Sequence, residues 1–146
     1  MFLLDTDHIG IVQRRSAPEH VVVTRRMRQH SLADFFVSII TFHEQVTGWS
    51  AYIRRARGEE GLVRGYAMFQ EILADFSRMN VLPFDTQAAA MFTQLRGSGV
   101  RAGTMDLRIA STALSRGLTV LTRNTIDFER VPGLRVEDWT VPSRPT

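Results

Sequence analysis

The strongly apolar runs of this chain are short. Phe2-Leu3-Leu4, Phe35-Phe36-Val37-Ser38-Ile39-Ile40 and Leu118-Thr119-Val120-Leu121 carry no charge and show no alternation of polar and apolar residues. A run of that kind suits a strand covered on both faces, the condition met in a parallel sheet. Parallel neighbours need long crossovers, and the segments between these runs have helical length and spacing. Val81-Leu82-Pro83-Phe84 reads as a further strand, which Pro83 confines to a sheet edge or a strand end. Leu134-Arg135-Val136 reads as a last one. The expected fold class is α/β, with a central, mostly parallel sheet of four to five strands.

The helices follow from caps and periodicity. Asp5-Thr6-Asp7 can cap a helix that starts near His8, and Pro18 suits the first turn of a second helix. Thr41 is expected to cap a third, with Glu44 at the capping-box spacing. Gly58 ends it. Leu62, Tyr66, Phe69, Ile72, Leu73 and Phe76 then recur at helical spacing. Asp85 or Thr86 begins another helix, Gly97-Ser98-Gly99 stops it, and Thr104 is expected to cap the next. Arg123 to Phe128 reads as a turn into a short helix. Residues 1–140 are expected to form one domain and residues 141–146 a flexible tail.

Composition narrows the chemistry. There is no cysteine, which removes disulfides, thiolate nucleophiles and cysteine zinc sites. All 18 cationic side chains are arginine, so P-loop and Schiff-base lysines are absent too. Arginine forks can hold phosphate, and nucleic acid is thus a candidate partner. No apolar run approaches the ~20 residues of a spanning helix. The start, Met-Phe-Leu-Leu-Asp, lacks the basic region of a signal peptide. A cytoplasmic protein without a membrane partner is expected.

Four carboxylates stand out. Asp5 and Asp127 follow apolar runs, and Glu44 and Asp106 lie at predicted helix starts. In an open parallel sheet, sites form beyond the carboxyl ends of the strands. All four acids can therefore face one edge. An acid placed there costs solvation unless a cation compensates it. Oxygen ligands without cysteine favour Mg²⁺, with Mn²⁺ as a substitute, over zinc.

Four segments carry a resemblance. They are Leu3-Leu4-Asp5-Thr6-Asp7, Ser38-Ile39-Ile40-Thr41-Phe42-His43-Glu44, Asp106-Leu107-Arg108-Ile109-Ala110 and Leu121-Thr122-Arg123-Asn124-Thr125-Ile126-Asp127-Phe128. In this order and spacing they resemble the PIN-domain nucleases, and in particular the VapC-type toxins of type II toxin–antitoxin pairs. The resemblance implies a three-layer α/β/α fold. It implies a Mg²⁺-dependent endoribonuclease whose metal-binding, catalytic acids are Asp5, Glu44, Asp106 and Asp127. Asp5 and Asp106 would be direct ligands. Glu44 and Asp127 would act through water or on a second ion, and one-metal and two-metal schemes both stay open. Thr6 is expected to support the site. Asn124 occupies a place where some members carry the fourth acid, so Asp127 is preferred as the charged residue and Asn124 as a neutral support. Arg123 and Arg101 are the expected phosphate contacts.

The resemblance further implies an RNA substrate, a small VapB-like antitoxin, a homodimer and a larger toxin–antitoxin complex. The alternative is a PIN-fold module that binds RNA or a partner with little catalysis. A phosphotransferase with a nucleophilic Asp5 is a third reading, disfavoured by the missing lysine. For Asp7 the expectation is a helix cap; for His8 and His43 it is a surface or packing role.

Overall fold

A computed structural model describes residues 1–142. Five strands, β1 Phe2–Leu4, β2 Phe35–Ser38, β3 Val81–Leu82, β4 Thr119–Leu121 and β5 Arg135–Glu137, form one sheet. Its order is β3-β2-β1-β4-β5, and every neighbouring pair is parallel. Seven helices connect or flank the strands: α1 Thr6–Gln13, α2 Glu19–Met27, α3 Ile39–Arg55, α4 Glu59–Ser77, α5 Thr86–Gly97, α6 Thr104–Leu114 and α7 Thr125–Glu129. The expected α/β class and the three layers are present, with the sheet wholly parallel. Of the expected tail, residues 143–146 lie outside the described residues.

The strand period of two sends alternate side chains into two separate cores. Leu3 and Val120 pack with Leu95, Leu107, Ile109 and Phe128 on one face. Leu4, Val37 and Leu121 pack with Ile9, Val23, Ile72 and Phe76 on the other. Each such side chain, fully buried, contributes roughly 1.5–3 kcal/mol before the entropy of ordering is counted. Burial on both faces explains why these strands read as continuous apolar runs.

Several local expectations are corrected. The second strand stops at Ser38, not Ile40, because the Ser38 Oγ accepts from the Ile40 backbone N–H at 3.0 Å and starts α3 there. Thr41 is therefore inside the helix and not its cap. Its hydroxyl is buried and lacks a hydrogen-bond partner among the described residues. The capping box with Glu44 dissolves with it, and Glu44 falls in the second turn of α3. Thr104 opens α6 behind Gly103, which takes the N-cap position. The helix expected near His8 begins at Thr6; Asp5 sits at its N-cap without a side-chain cap bond. Asp85, rather than Thr86, caps α5, its Oδ1 accepting from the Ala88 N–H at 2.9 Å. The strands β4 and β5 are one residue off their expected ends. Pro83 does follow an edge strand.

The long hairpin of α3 and α4 packs through a glycine. Gly65 is buried in α4, and a Cβ there would overlap the Ile53 side chain of α3. Helix propensity favours alanine over glycine by up to ~1 kcal/mol. Overpacking opposes it and should dominate. Gly65→Ala is expected to destabilise the protein by about 1–3 kcal/mol in urea unfolding. A variant as stable as the parent would show that the hairpin packs more loosely than this.

Candidate active site

All five strands are parallel, so their carboxyl ends share one edge of the sheet. The chain leaves β1 toward β2 and β3 on one side, while β4 and β5 lie on the other. The crevice between β1 and β4 is thus a topological switch point, where ligands bind in open α/β sheets. Asp5 follows β1 and Thr122 follows β4. The Asp5 backbone N–H donates to the Leu121 carbonyl at 2.9 Å, and the Thr122 hydroxyl donates to Asp5 Oδ2 at 2.9 Å. Side chain and backbone together pin Asp5 across the crevice.

The other acids come in around it. Glu44, from α3, accepts at Oε1 from the Thr6 hydroxyl at 2.7 Å. Thr6 thus orients an acid within the protein, a support role different from a bond to substrate. Asp106 lies in the first turn of α6 and Asp127 in that of α7. Asn124 Nδ2 stands between them, donating to Asp127 Oδ2 at 3.0 Å and, more weakly, to Asp106 Oδ2 at 3.4 Å. The Asn124 amide thus bridges the two acids. Arg130 Nη1 donates to Asp127 Oδ1 at 3.0 Å.

The electrostatics confirm the crowding. Asp5 is 6% exposed, and burial pushes its carboxyl up to about 7. The Thr6 N–H and the Thr122 hydroxyl oppose the rise, while the charges of Asp7 and Asp106 add to it. Asp106 is raised above the ordinary carboxylate range, first by burial and then by Glu44, Asp127 and Asp7. Among the described residues, no cationic side chain pairs with Asp5, Glu44 or Asp106; Arg130 pairs with Asp127. An uncompensated cluster of oxygen donors fits a hard divalent cation. Among the described residues, no three acidic or histidine side chains converge into one coordination shell.

A strap behind the site was missed at the sequence level. Asp7 does not take the N-cap of α1, and its charge acts on Asp5 and Asp106. Its Oδ2 accepts from the Arg123 backbone N–H at 2.8 Å, and its Oδ1 lies 2.8 Å from His8 Nδ1. Burial disfavours its charge, but the bonds from His8 and Arg123 outweigh this and lower its pKa. His8 is fully buried, and its Nε2 accepts from the Trp139 N–H at 3.2 Å. The chain end after β5 is thereby tied to the loop that carries Asn124. His43 is exposed on α3. The guanidinium of Arg123 lies 3.8 Å from Glu19 of α2, and the exposed Arg101 offers its carbonyl to Arg130. Thr122 and Arg130 also escaped the sequence reading. Arg130 had a signal, its position three residues after Asp127 on a helix; Thr122 had none without the strand register.

The sequence pattern of the PIN domain matches residues 2–134. The chain belongs to the PIN-domain family. Within it the chain is of the VapC type. It is 36% identical to the tRNA(fMet)-specific endonuclease VapC of Salmonella typhimurium, over 94% of this chain and 97% of that protein. The fold matches a DNA-bound VapBC structure from Salmonella typhimurium with a TM-score of 0.70 at 32% identity, covering 94% and 97% of the two chains. It matches FitAB bound to an IR36 DNA fragment with a TM-score of 0.73 at 29% identity, covering 99% of each.

The raised Asp5 makes stability depend on pH. Its folded pKa lies above the unfolded value, so the folded state holds the proton more tightly between about pH 4 and 7. In metal-free protein, stability should fall as pH rises through that window and stay low above it. Asp5→Asn removes the charge and keeps an acceptor for Thr122. In urea unfolding with chelator at pH 8, it is expected to exceed the parent by on the order of 2 kcal/mol. At pH 5 the gap should narrow to less than half, closing only below about pH 4. A variant less stable than the parent at pH 8 would contradict the assignment.

Proposed function

We propose that this protein is a Mg²⁺-dependent endoribonuclease and the toxin of a VapBC-type pair. The observation that carries the reading is the cluster of Asp5, Glu44, Asp106 and Asp127 at one switch point, uncompensated at three of its four members. The relative named tRNA(fMet)-specific endonuclease, matched over nearly the full chain, supports RNA as substrate. The likeness to VapBC structures supports a VapB-like antitoxin. A homodimer and a larger toxin–antitoxin complex are part of the proposal. Among the described residues, no helix is long and apolar enough to cross a membrane.

Asp5 and Asp106 would hold Mg²⁺ directly, with Mn²⁺ as a substitute, and Glu44 and Asp127 would act through water or on a second ion. Bound there, a divalent cation lowers the pKa of water and screens the scissile phosphate. The residues supply the rest. Thr122 and the Leu121 carbonyl fix Asp5; Thr6 fixes Glu44; Asn124 sets Asp127 against Asp106. Burial drives Asp5 and Asp106 toward the protonated state, and a cation would reverse that shift by favouring their charged forms. Arg123 and Arg101, both exposed near the site, are the proposed phosphate contacts. A partner arginine reaching the same carboxylates would compete with the cation, which suits inhibition by an antitoxin.

Purified protein should cleave tRNA or total RNA with Mg²⁺, stop in chelator and resume with Mn²⁺. Asp5→Asn and Asp106→Asn are each expected to lose about a hundredfold or more in rate. Equal cleavage by parent and both variants would sink the proposal. Tight binding of RNA or a small partner without metal uptake or cleavage would favour the binding-module alternative.

A further inference from the structure

We propose that Arg130 is a positioning residue of this site: it holds Asp127 at its working distance from Asp106. The inference rests on the nuclease reading but uses a residue that reading does not need. One guanidinium nitrogen makes two bonds. Arg130 Nη1 donates to Asp127 Oδ1 at 3.0 Å and to the Arg101 backbone carbonyl at 3.1 Å. Arg101 lies in the loop that leads into α6, two residues before the Gly103 N-cap and five before Asp106. Asp127 is the third residue of the five-residue α7, and Arg130 is its C-cap. The guanidinium therefore ties the approach to one acid-bearing helix to the other.

The second carboxylate oxygen shows why the tie matters. Asp127 Oδ2 is held by Asn124 Nδ2, which also reaches Asp106. Asn124 sets the inner spacing of the two acids and Arg130 the outer one. A five-residue helix has little rigidity of its own, so its carboxylate needs external anchors. The arginine does so at an electrostatic cost. It places a positive charge next to the acid cluster, where it competes with a bound cation for Asp127.

These opposed effects give a signature that a merely structural residue lacks. Arg130→Ala is expected to lower kcat about tenfold, with KM nearly unchanged. The same variant should bind Mn²⁺, titrated by calorimetry, at least as tightly as the parent. In an Asp127→Ala background, Arg130→Ala should cost little more, less than about threefold, because the group it positions is gone. Arg130→Lys keeps the charge and should recover part of kcat. Unchanged kcat in Arg130→Ala, or full additivity with Asp127→Ala, overturns the proposal. So does a fall in Mn²⁺ affinity together with thermal midpoint, which marks general damage. A raised KM at unchanged kcat overturns it in favour of a phosphate contact. If the parent cleaves no RNA, the nuclease reading fails by itself. Arg130→Ala then answers through metal affinity alone: weaker Mn²⁺ binding overturns the inference, and equal or tighter binding sustains the placement of its charge beside the cluster.

Discussion

Burial of one carboxylate at the seam between β1 and β4 organises this molecule. Asp5 is almost wholly removed from water, and the charges that act on it are those of Asp7 and Asp106. Such a group is tolerated only where bonds fix it and something of opposite charge can join it. The fold supplies the bonds: a backbone N–H to β4, a hydroxyl from Thr122, and an adjoining N–H from Thr6. The charge is left open. The elements around the seam can be described by how each brings an acid near Asp5 without closing that opening.

Support of the site divides into an inner and an outer set of contacts. The inner set, Thr6, Thr122 and Asn124, consists of neutral donors that orient carboxylates without cancelling their charge. The outer set reaches backbone groups of other segments. Asp7 and His8 join the Arg123 turn to Trp139, and Arg130 joins α7 to the loop before α6. Trp139 is itself buried among Phe2, Phe35 and His30, with Arg26 over its ring. The residues after the last strand are thereby tied to the loop that carries Arg123 and Asn124.

Much of the fold was legible in the chain because two-sided burial leaves a direct mark. The runs at Phe2, Phe35 and Leu118 have no polar face, and only a covered sheet uses such strands. Boundaries were less legible. Ser38 and Thr41 are both fair caps, and the sequence offered Thr41 a matching Glu44. The register of β2 decided for Ser38, since Ile40 is needed in the core beside Leu3. Asp5, Asp106 and Asp127 stand after a strand or in a first helical turn, as their sequence context implies, while Glu44 lies a turn deeper in α3 than its expected capping-box place. Asn124 is expected as a neutral support beside Asp127, and only the fold shows its amide reaching both Asp127 and Asp106.

By itself the sequence determined the α/β class, the parallel course of the sheet and a chain whose candidate ligands are oxygen donors. Those properties depend on local period and residue type, which the chain carries directly. The tertiary structure decided which neutral groups touch which acids, that His8 is buried, and that Arg130 reaches Asp127 and the Arg101 carbonyl together. Those facts join residues up to 131 positions apart, as His8 and Trp139 show. No local pattern encodes such distances; strand order and packing set them.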